Sequence, residues 1–356
     1  MSAKPHQISP FDPSDAGGDD FRALHLFSSL MRQEYWPEDP PPVLDETVGR
    51  WRAVPGFVDR RAWAVWEAAH LVALAAVSIA DTDDNRHLAD ANIEVLPDWR
   101  CQSIATRLLE RVVDVAEDNN RRLLIGNTDS HITAGDAFMR ALGASLGLTM
   151  STSQLDLTEL DWTLIRAWQE SGQRQAGQDF ELVLWKGPYP EEHLEAIVEL
   201  LGVMNTAPRG SLDIEDAVWT QEQLRQWDAA IAERGTEKWT LAVLHRSSGK
   251  FAGYTEVFWN RHQGEILGQG MTGVFPEFRN RGLGRWTKAA MLEQILRERP
   301  YLKWVRTGNA TVNASMLKIN HEIGFQHYKE QAVWQVDTGV ARDYLNARQE
   351  PGTESR

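Results

Sequence analysis

The segment 270–292, GMTGVFPEFRNRGLGRWTKAAML, carries the residue types of an anion-binding junction in the order such a junction needs. A strand-forming run passes through a Pro-led turn into Arg279-Asn280-Arg281-Gly282-Leu283-Gly284-Arg285 and then into a helical stretch. Gly282 and Gly284 have no side chain, so a phosphate can approach the backbone, and the first N–H groups of the helix point toward it. The surrounding arginines add charge-assisted hydrogen bonds that suit phosphate oxygens. The local charge agrees: residues 279–306 hold eight basic side chains against two acidic ones, in a chain of net charge −14.

Further downstream, NASMLKINHEIGF (313–325) reads as an Asn-led helix closing on Gly-Phe. The string Arg279-x-x-Gly282-x-Gly284 and this second segment resemble the two signatures of the GNAT superfamily of N-acetyltransferases, and the order of the elements around them is similar too. The resemblance implies acetyl-CoA as cofactor. It places Val274, Arg279, Asn280, Arg281, Gly282, Leu283, Gly284 and Arg285 along it, with Asn313 touching it from the following helix. It also implies a splayed strand over 270–274 that offers a backbone N–H to the thioester oxygen.

Acetyl transfer to an amine requires a neutral nucleophile, a donor for the oxyanion and a proton for the departing thiolate. Where many GNAT members carry a tyrosine acid, five residues before the Phe of Gly-Phe, this chain has Asn320. An amide cannot give up a proton at a useful pKa. It can hydrogen-bond the sulfur, which leaves Tyr328, His321 or water as the proton source. The slot in which some members carry a base holds Gly268, so Glu256 and Glu265 are the nearest carboxylate candidates. A carboxylate on a solvated strand face is the competing role for each. No paired His/Asp spacing of ligand type occurs, so no metal is expected.

These motifs require strands and helices to hold them. Over the second half the periodicities predict strands at 180–186, 238–246, 251–260, 265–275, 302–307 and 327–336, with helices at 190–204, 220–234, 284–298 and 313–322. Residues 95–108 align with 274–287 at an offset of 179, placing Val95, Pro97 and Arg100 on Val274, Pro276 and Arg279. Two copies of one domain follow. The fold class is α/β (α+β), two tandem GNAT-like domains, each a mixed, largely antiparallel sheet flanked by helices, similar to the two-copy architecture of mycothiol synthase-like proteins. The expected division is a flexible N-terminus over 1–18, a first domain over 19–170, a linker over 171–179, a second domain over 180–339 and a flexible tail over 340–356. Ser103 stands where the first loop glycine should be, so the first copy is expected to be degenerate and the second catalytic.

At 356 residues and 42% apolar content the chain can bury two cores. The acidic balance argues against nucleic acid or an anionic membrane as partner. A single cysteine, Cys101, forms no internal disulfide and points to a reducing cytoplasm. The expected activity is transfer from acetyl-CoA to a small, cationic amine metabolite or antibiotic-like compound in a ternary complex, by a monomer or homodimer. Glu215 and Asp216 are candidate acceptor contacts. The alternatives are a non-catalytic CoA-binding sensor or scaffold and a protein or peptide N-acetyltransferase.

Overall fold

In a computed structural model, which describes residues 7–349, the chain alternates short helices with twelve strands. The order begins β1 (Ile8–Pro10), α1 (Gly18–Tyr35), α2 (Leu44–Arg52), β2 (Val58–Glu67), β3 (His70–Ala80), β4 (Leu88–Val95), α3 (Ile104–Asp118), β5 (Leu123–Asp129) and α4 (Thr133–Leu142). It continues with β6 (Ser145–Asp156), α5 (Trp162–Ala176), β7 (Phe180–Lys186), α6 (Leu194–Leu201), α7 (Gln221–Glu233), β8 (Thr236–His245), β9 (Lys250–Asn260) and β10 (Ile266–Val274). The last elements are α8 (Leu283–Glu298), β11 (Trp304–Ala310), α9 (Ala314–Ile323), β12 (Gln326–Asp337) and α10 (Thr338–Gln349).

Two compact units result, one holding residues up to Thr149 with Ser211–Glu215 and the chain from Gln331, the other Met150–Gly210 with Asp216–Glu330. The first unit pairs β1, β2, β3 and β4 antiparallel in sequence, sets β5 parallel to β4, and adds residues 331–337 of β12 antiparallel to β5. The second repeats that order: β7 to β10 run antiparallel, β11 lies parallel to β10, and residues 150–156 of β6 lie antiparallel to β11. Each sheet therefore has one parallel pair and otherwise antiparallel neighbours, as the duplication implied. Each is finished by a strand that follows the other repeat's last helix in sequence.

The β-branched and aromatic run of β9, with Phe251, Ala252, Tyr254 and Val257 buried, fits a strand covered on both faces. Helix α8 packs Leu283, Trp286, Ala289, Met291, Leu292 and Ile295 into the core of the second unit. Thr220 caps α7 and Asn313 caps α9 through side-chain oxygens that accept from Gln223 N–H and Met316 N–H at 3.1 and 3.3 Å. Gly324 ends α9 at φ 109°, a conformation glycine takes without a Cβ penalty.

Three expected boundaries are corrected. The polar stretch 171–179 is not a free linker, since its first six residues are the end of α5 and are packed against α8. A Cβ at Gly172 would lie 2.3 Å from Cγ of Trp286, so the glycine is there to let two helices touch. Gly172→Ala is expected to destabilise the protein by about 1–3 kcal/mol through overpacking, read as a lower urea midpoint with unchanged slope. Within 1–18, Ile8–Pro10 form a strand, and within 340–356 the described residues to 349 are helical. There Arg342 reaches Asp114 and Glu117 of α3 at 2.7 and 2.6 Å. Residues 1–6 and 350–356 lie outside the described residues.

Candidate functional site

The parallel pair β10 and β11 is in register only from Ile266 opposite Trp304 to Gln269 opposite Thr307. Beyond that point β10 continues to Val274 and β11 to Ala310 without further pairing, so the sheet splits. On its other edge β10 bulges: Gln269 faces Val257 and Thr272 faces Thr255, which leaves Gly270 and Met271 opposite Glu256 alone. A Cβ at Gly270 would sit 2.5 Å from Cε2 of Phe258 and 2.8 Å from Cγ of Glu256, so only glycine lets the Glu256 side chain pass. Gln269, Gly270 to Val274, Thr307, Gly308 and Asn309 line a cavity of about 1220 Å³ within the second unit.

At one end of that cavity lies the loop before α8. Arg279 folds back so that its Nε donates to Val274 O at 2.9 Å and its guanidinium to Thr206 Oγ1 at 2.7 Å. Asn280 and Gly282 take φ values of 63° and 76°, which turn successive peptides to one side. Among the described residues, no peptide N–H from Asn280 to Arg285 has a hydrogen-bond acceptor. A Cβ at Gly284 would find nothing nearer than 3.7 Å, so protein packing does not demand the glycine and the space above it stays open. This row of unsatisfied donors at a helix N-terminus, where Asn280 and Gly282 to Arg285 line the cavity, is suited to a diphosphate.

The first unit keeps the same backbone. Arg100 Nε donates to Val95 O at 3.0 Å, and Cys101 and Ser103 take φ values of 59° and 60° in the places of Asn280 and Gly282. A left-handed conformation in two non-glycine residues costs about 1–3 kcal/mol each, so this turn persists against strain. The surroundings differ. Arg100 is paired with the Glu34 carboxylate at 2.7 Å, whereas the corresponding partner of Arg279 is the neutral Thr206 hydroxyl.

At the bulge, Glu256 is 8% exposed and its Oε1 accepts from Met271 N–H at 3.3 Å. Burial pushes its pKa up to about 7, against the pull of the Lys238 ammonium and the Met271 N–H, with Asp228 adding a smaller push upward. Lys238 is itself buried in an ion pair with Asp228, which also accepts from Tyr189 N–H at 2.9 Å. Tyr189, Trp219, Trp227, Tyr254, Phe258 and Met271 line the cavity on this side. Among the described residues that line it, Glu256 is the only carboxylate.

Of the cofactor residues expected from sequence, Val274, Arg279, Asn280, Gly282, Leu283, Gly284, Arg285 and Asn313 all line the cavity. Arg281 does not; its guanidinium lies 5.7 Å from the Phe180 ring. Arg285 lines it while pairing with Glu322 at 2.6 Å. Among the proton-transfer candidates, only Glu256 is there. Glu265 is half exposed, paired with Lys303 at 2.8 Å and outside the lining. Asn320 is a buried residue of α9 whose Nδ2 donates to Asn309 Oδ1 at 2.6 Å, so it positions a wall residue and is not itself part of the lining. Tyr328 is outside the lining as well, with Arg306 5.3 Å over its ring. Of the acceptor candidates, Glu215 accepts from Asn85 N–H at 2.6 Å in the first unit, and Asp216 is exposed and paired with Arg209. Sequence reading missed Lys238 and counted Lys288 only as basic surplus; both line the cavity.

Among the described residues, no group of His, Cys, Asp and Glu can hold a metal, and no helix is long and apolar enough to cross a membrane. The model of the Acetyltransferase (GNAT) family matches residues 28–143, about a third of the chain and within the first repeat. No curated protein matches the chain at a significant level. Among solved structures, a tandem GNAT protein from the clavulanic acid biosynthesis pathway is similar over 94% of this chain and 99% of its own, at 22% identity and a TM-score of 0.74. A GCN5-related N-acetyltransferase from Sphaerobacter thermophilus is similar over 94% and 97%, at 13% identity and a TM-score of 0.62. A GCN5-related glucosamine N-acetyltransferase region of a fungal beta-N-acetylglucosaminidase covers 94% of this chain and 38% of that one, at 12% identity and a TM-score of 0.61. These likenesses are of fold, and the fold is that of two GNAT-like domains.

Proposed function

We propose that the chain is an acetyl-CoA-dependent N-acetyltransferase of small amines whose chemistry is carried by the second unit. The supporting observation is that one cavity holds both the unsatisfied N–H row of 280–285 and the buried Glu256 carboxylate. Acetyl-CoA suits the residues present, because the glycine-floored space over Gly284 admits a group that packing leaves no other reason to accommodate. When bound, it supplies an acetyl group activated as a thioester.

The chain's own residues then do three things. The N–H groups of 280–285 would hold the diphosphate, and the splay after Gln269 and Thr307 would leave room for the extended arm between β10 and β11. The backbone at Gly270 and Met271, bulged toward the cavity's lining, would bound the reacting carbonyl on one side. Glu256, ionised in half of the molecules near pH 7, takes the proton from the attacking amine, directly or through water. The second unit is favoured over the first because the Glu34 carboxylate neutralises Arg100 beside the equivalent turn, whereas the Arg279 guanidinium meets a hydroxyl and keeps its charge for phosphate.

Around Glu256 the aromatic lining and the single carboxylate support an amine with one positive charge on a largely apolar body over a polyamine or an aminoglycoside, since Lys238 there is paired with Asp228 and the other lining cations, Arg279, Arg285, Lys288 and Lys318, belong to α8, α9 and the loop before α8. Isothermal titration with acetyl-CoA, followed by a thiol-release assay over arylalkylamines, polyamines and aminoglycosides, tests the reading. Saturable cofactor binding and turnover with a monoamine are expected. Absence of cofactor binding defeats it, and binding without turnover on any amine identifies a CoA-binding sensor instead.

A further inference from the structure

Lys288 is a charged residue that the reaction above leaves unused. It is 3% exposed, on α8, one helical turn beyond Gly284 and on the same face. It lines the cavity, yet among the described residues its ammonium has neither an ion pair nor a hydrogen bond. The Phe325 ring lies 5.8 Å from Nζ. An unpaired buried ammonium is expensive, and the charge can persist only where the cavity supplies something for it to meet.

The chain provides its own control. At the offset of 179, Thr287 and Lys288 correspond to Leu108 and Leu109, both buried in the core of the first unit. The helix frame thus accepts leucine at this place without difficulty. The exchange of a core leucine for lysine is confined to the unit that holds the cavity and the glycine loop. Its expected counterpart is also missing: Asn320, in the tyrosine acid's slot, donates to Asn309 and is not part of the lining.

We infer that Lys288 is the proton donor to the departing thiolate, a role that rests on the acetyltransferase reading. As the C–S bond breaks with its electron pair on sulfur, the Lys288 ammonium gives that sulfur a proton and is left a neutral amine. The acceptor nitrogen, now bonded to the acetyl carbon, loses its own proton to Glu256. Solvent then returns a proton to Lys288 and removes one from Glu256. Burial alone lowers the Lys288 pKa to about 7, below a typical thiol at about 8.5, so the transfer runs downhill. On the surrounding elements Arg285 with its partner Glu322, Lys318 on α9 and Arg306 on β11 leave that value unshifted, as do Glu256 and Lys238 across the cavity.

The test replaces Lys288 with leucine, the side chain the first repeat carries, and follows two readouts. In the wild type bound to CoA, the Lys288 ammonium, followed through its 13Cε NMR signal, should lose its proton near pH 7, ahead of the thiol. That signal should be missing from Lys288→Leu. With acetyl-CoA affinity retained, kcat should fall about 100- to 10,000-fold, and the loss of activity on the alkaline side of the pH profile should disappear. A Lys288 signal that titrates like that of an exposed lysine, or an unchanged kcat, overturns the assignment. Failure of wild-type protein to bind CoA removes the underlying reading instead, and the titration calorimetry that shows it is independent of Lys288.

Discussion

Glu256→Gln is expected to lower kcat by about 100- to 10,000-fold while leaving acetyl-CoA affinity unchanged, because the amide keeps the side chain's size and loses only its ability to accept a proton. The pH dependence gives the sign. A carboxylate whose pKa is raised to about 7 by burial is protonated and idle below that pH, and becomes a base as pH rises through it. Wild-type kcat should therefore climb on the acid side with a midpoint near pH 7, and the residual activity of Glu256→Gln should lack that limb. Lys288 sets the opposite limit, since its ammonium is lost over the same range. Together the two groups predict a narrow bell. Glu265→Gln is the control, because its carboxylate is tied to Lys303 outside the cavity, and it should behave as wild type. An acid limb that survives in Glu256→Gln would remove Glu256 from the reaction.

The second large effect concerns the loop. Gly282→Asp should weaken acetyl-CoA binding by about 100-fold or more, since a carboxylate beside the diphosphate adds like-charge repulsion of several kcal/mol. Gly282→Asn separates charge from shape. Asparagine tolerates the left-handed conformation that Gly282 holds at φ 76°, and a Cβ there meets only Gln175 Oε1 at 3.4 Å. The asparagine variant should fold, and should bind the cofactor far better than the aspartate variant. Equal affinities for acetyl-CoA in wild type and Gly282→Asp, measured by titration calorimetry, would place the diphosphate elsewhere.

Most of the second unit was legible because its signals are local. Alternation and helical spacing set β7 to β12 and α6 to α9 to within a few residues, and the match of Val95, Pro97 and Arg100 to Val274, Pro276 and Arg279 recurs as one Arg-to-carbonyl hydrogen bond in each unit. Long-range pairing was not legible. The strand following each repeat's last helix belongs to the other unit, and nothing in 145–156 or 326–337 says which sheet edge it completes. The stretch 171–179 misled because polar residues and glycines are common both in linkers and on the outer face of a helix that needs one close contact.

In the site, the loop was readable because its chemistry is backbone chemistry, fixed by where the glycines fall. The proton-transfer groups were not, because burial decides them. Glu256 and Glu265 look alike in sequence, but one lies beside a bulge with a raised pKa and the other in a surface ion pair. The signal for Lys288 was present in the internal alignment, where Leu109 marks the position as a core one.

The most direct measurement is a crystal structure of the chain grown with acetyl-CoA. The diphosphate oxygens should lie about 3 Å from the N–H groups of residues 280–285, with the acetyl carbon between Gly270 and the Glu256 carboxylate. A cofactor seated on the turn at Cys101 to Ser103 of the first unit, or lying outside the cleft between β10 and β11, would contradict the account.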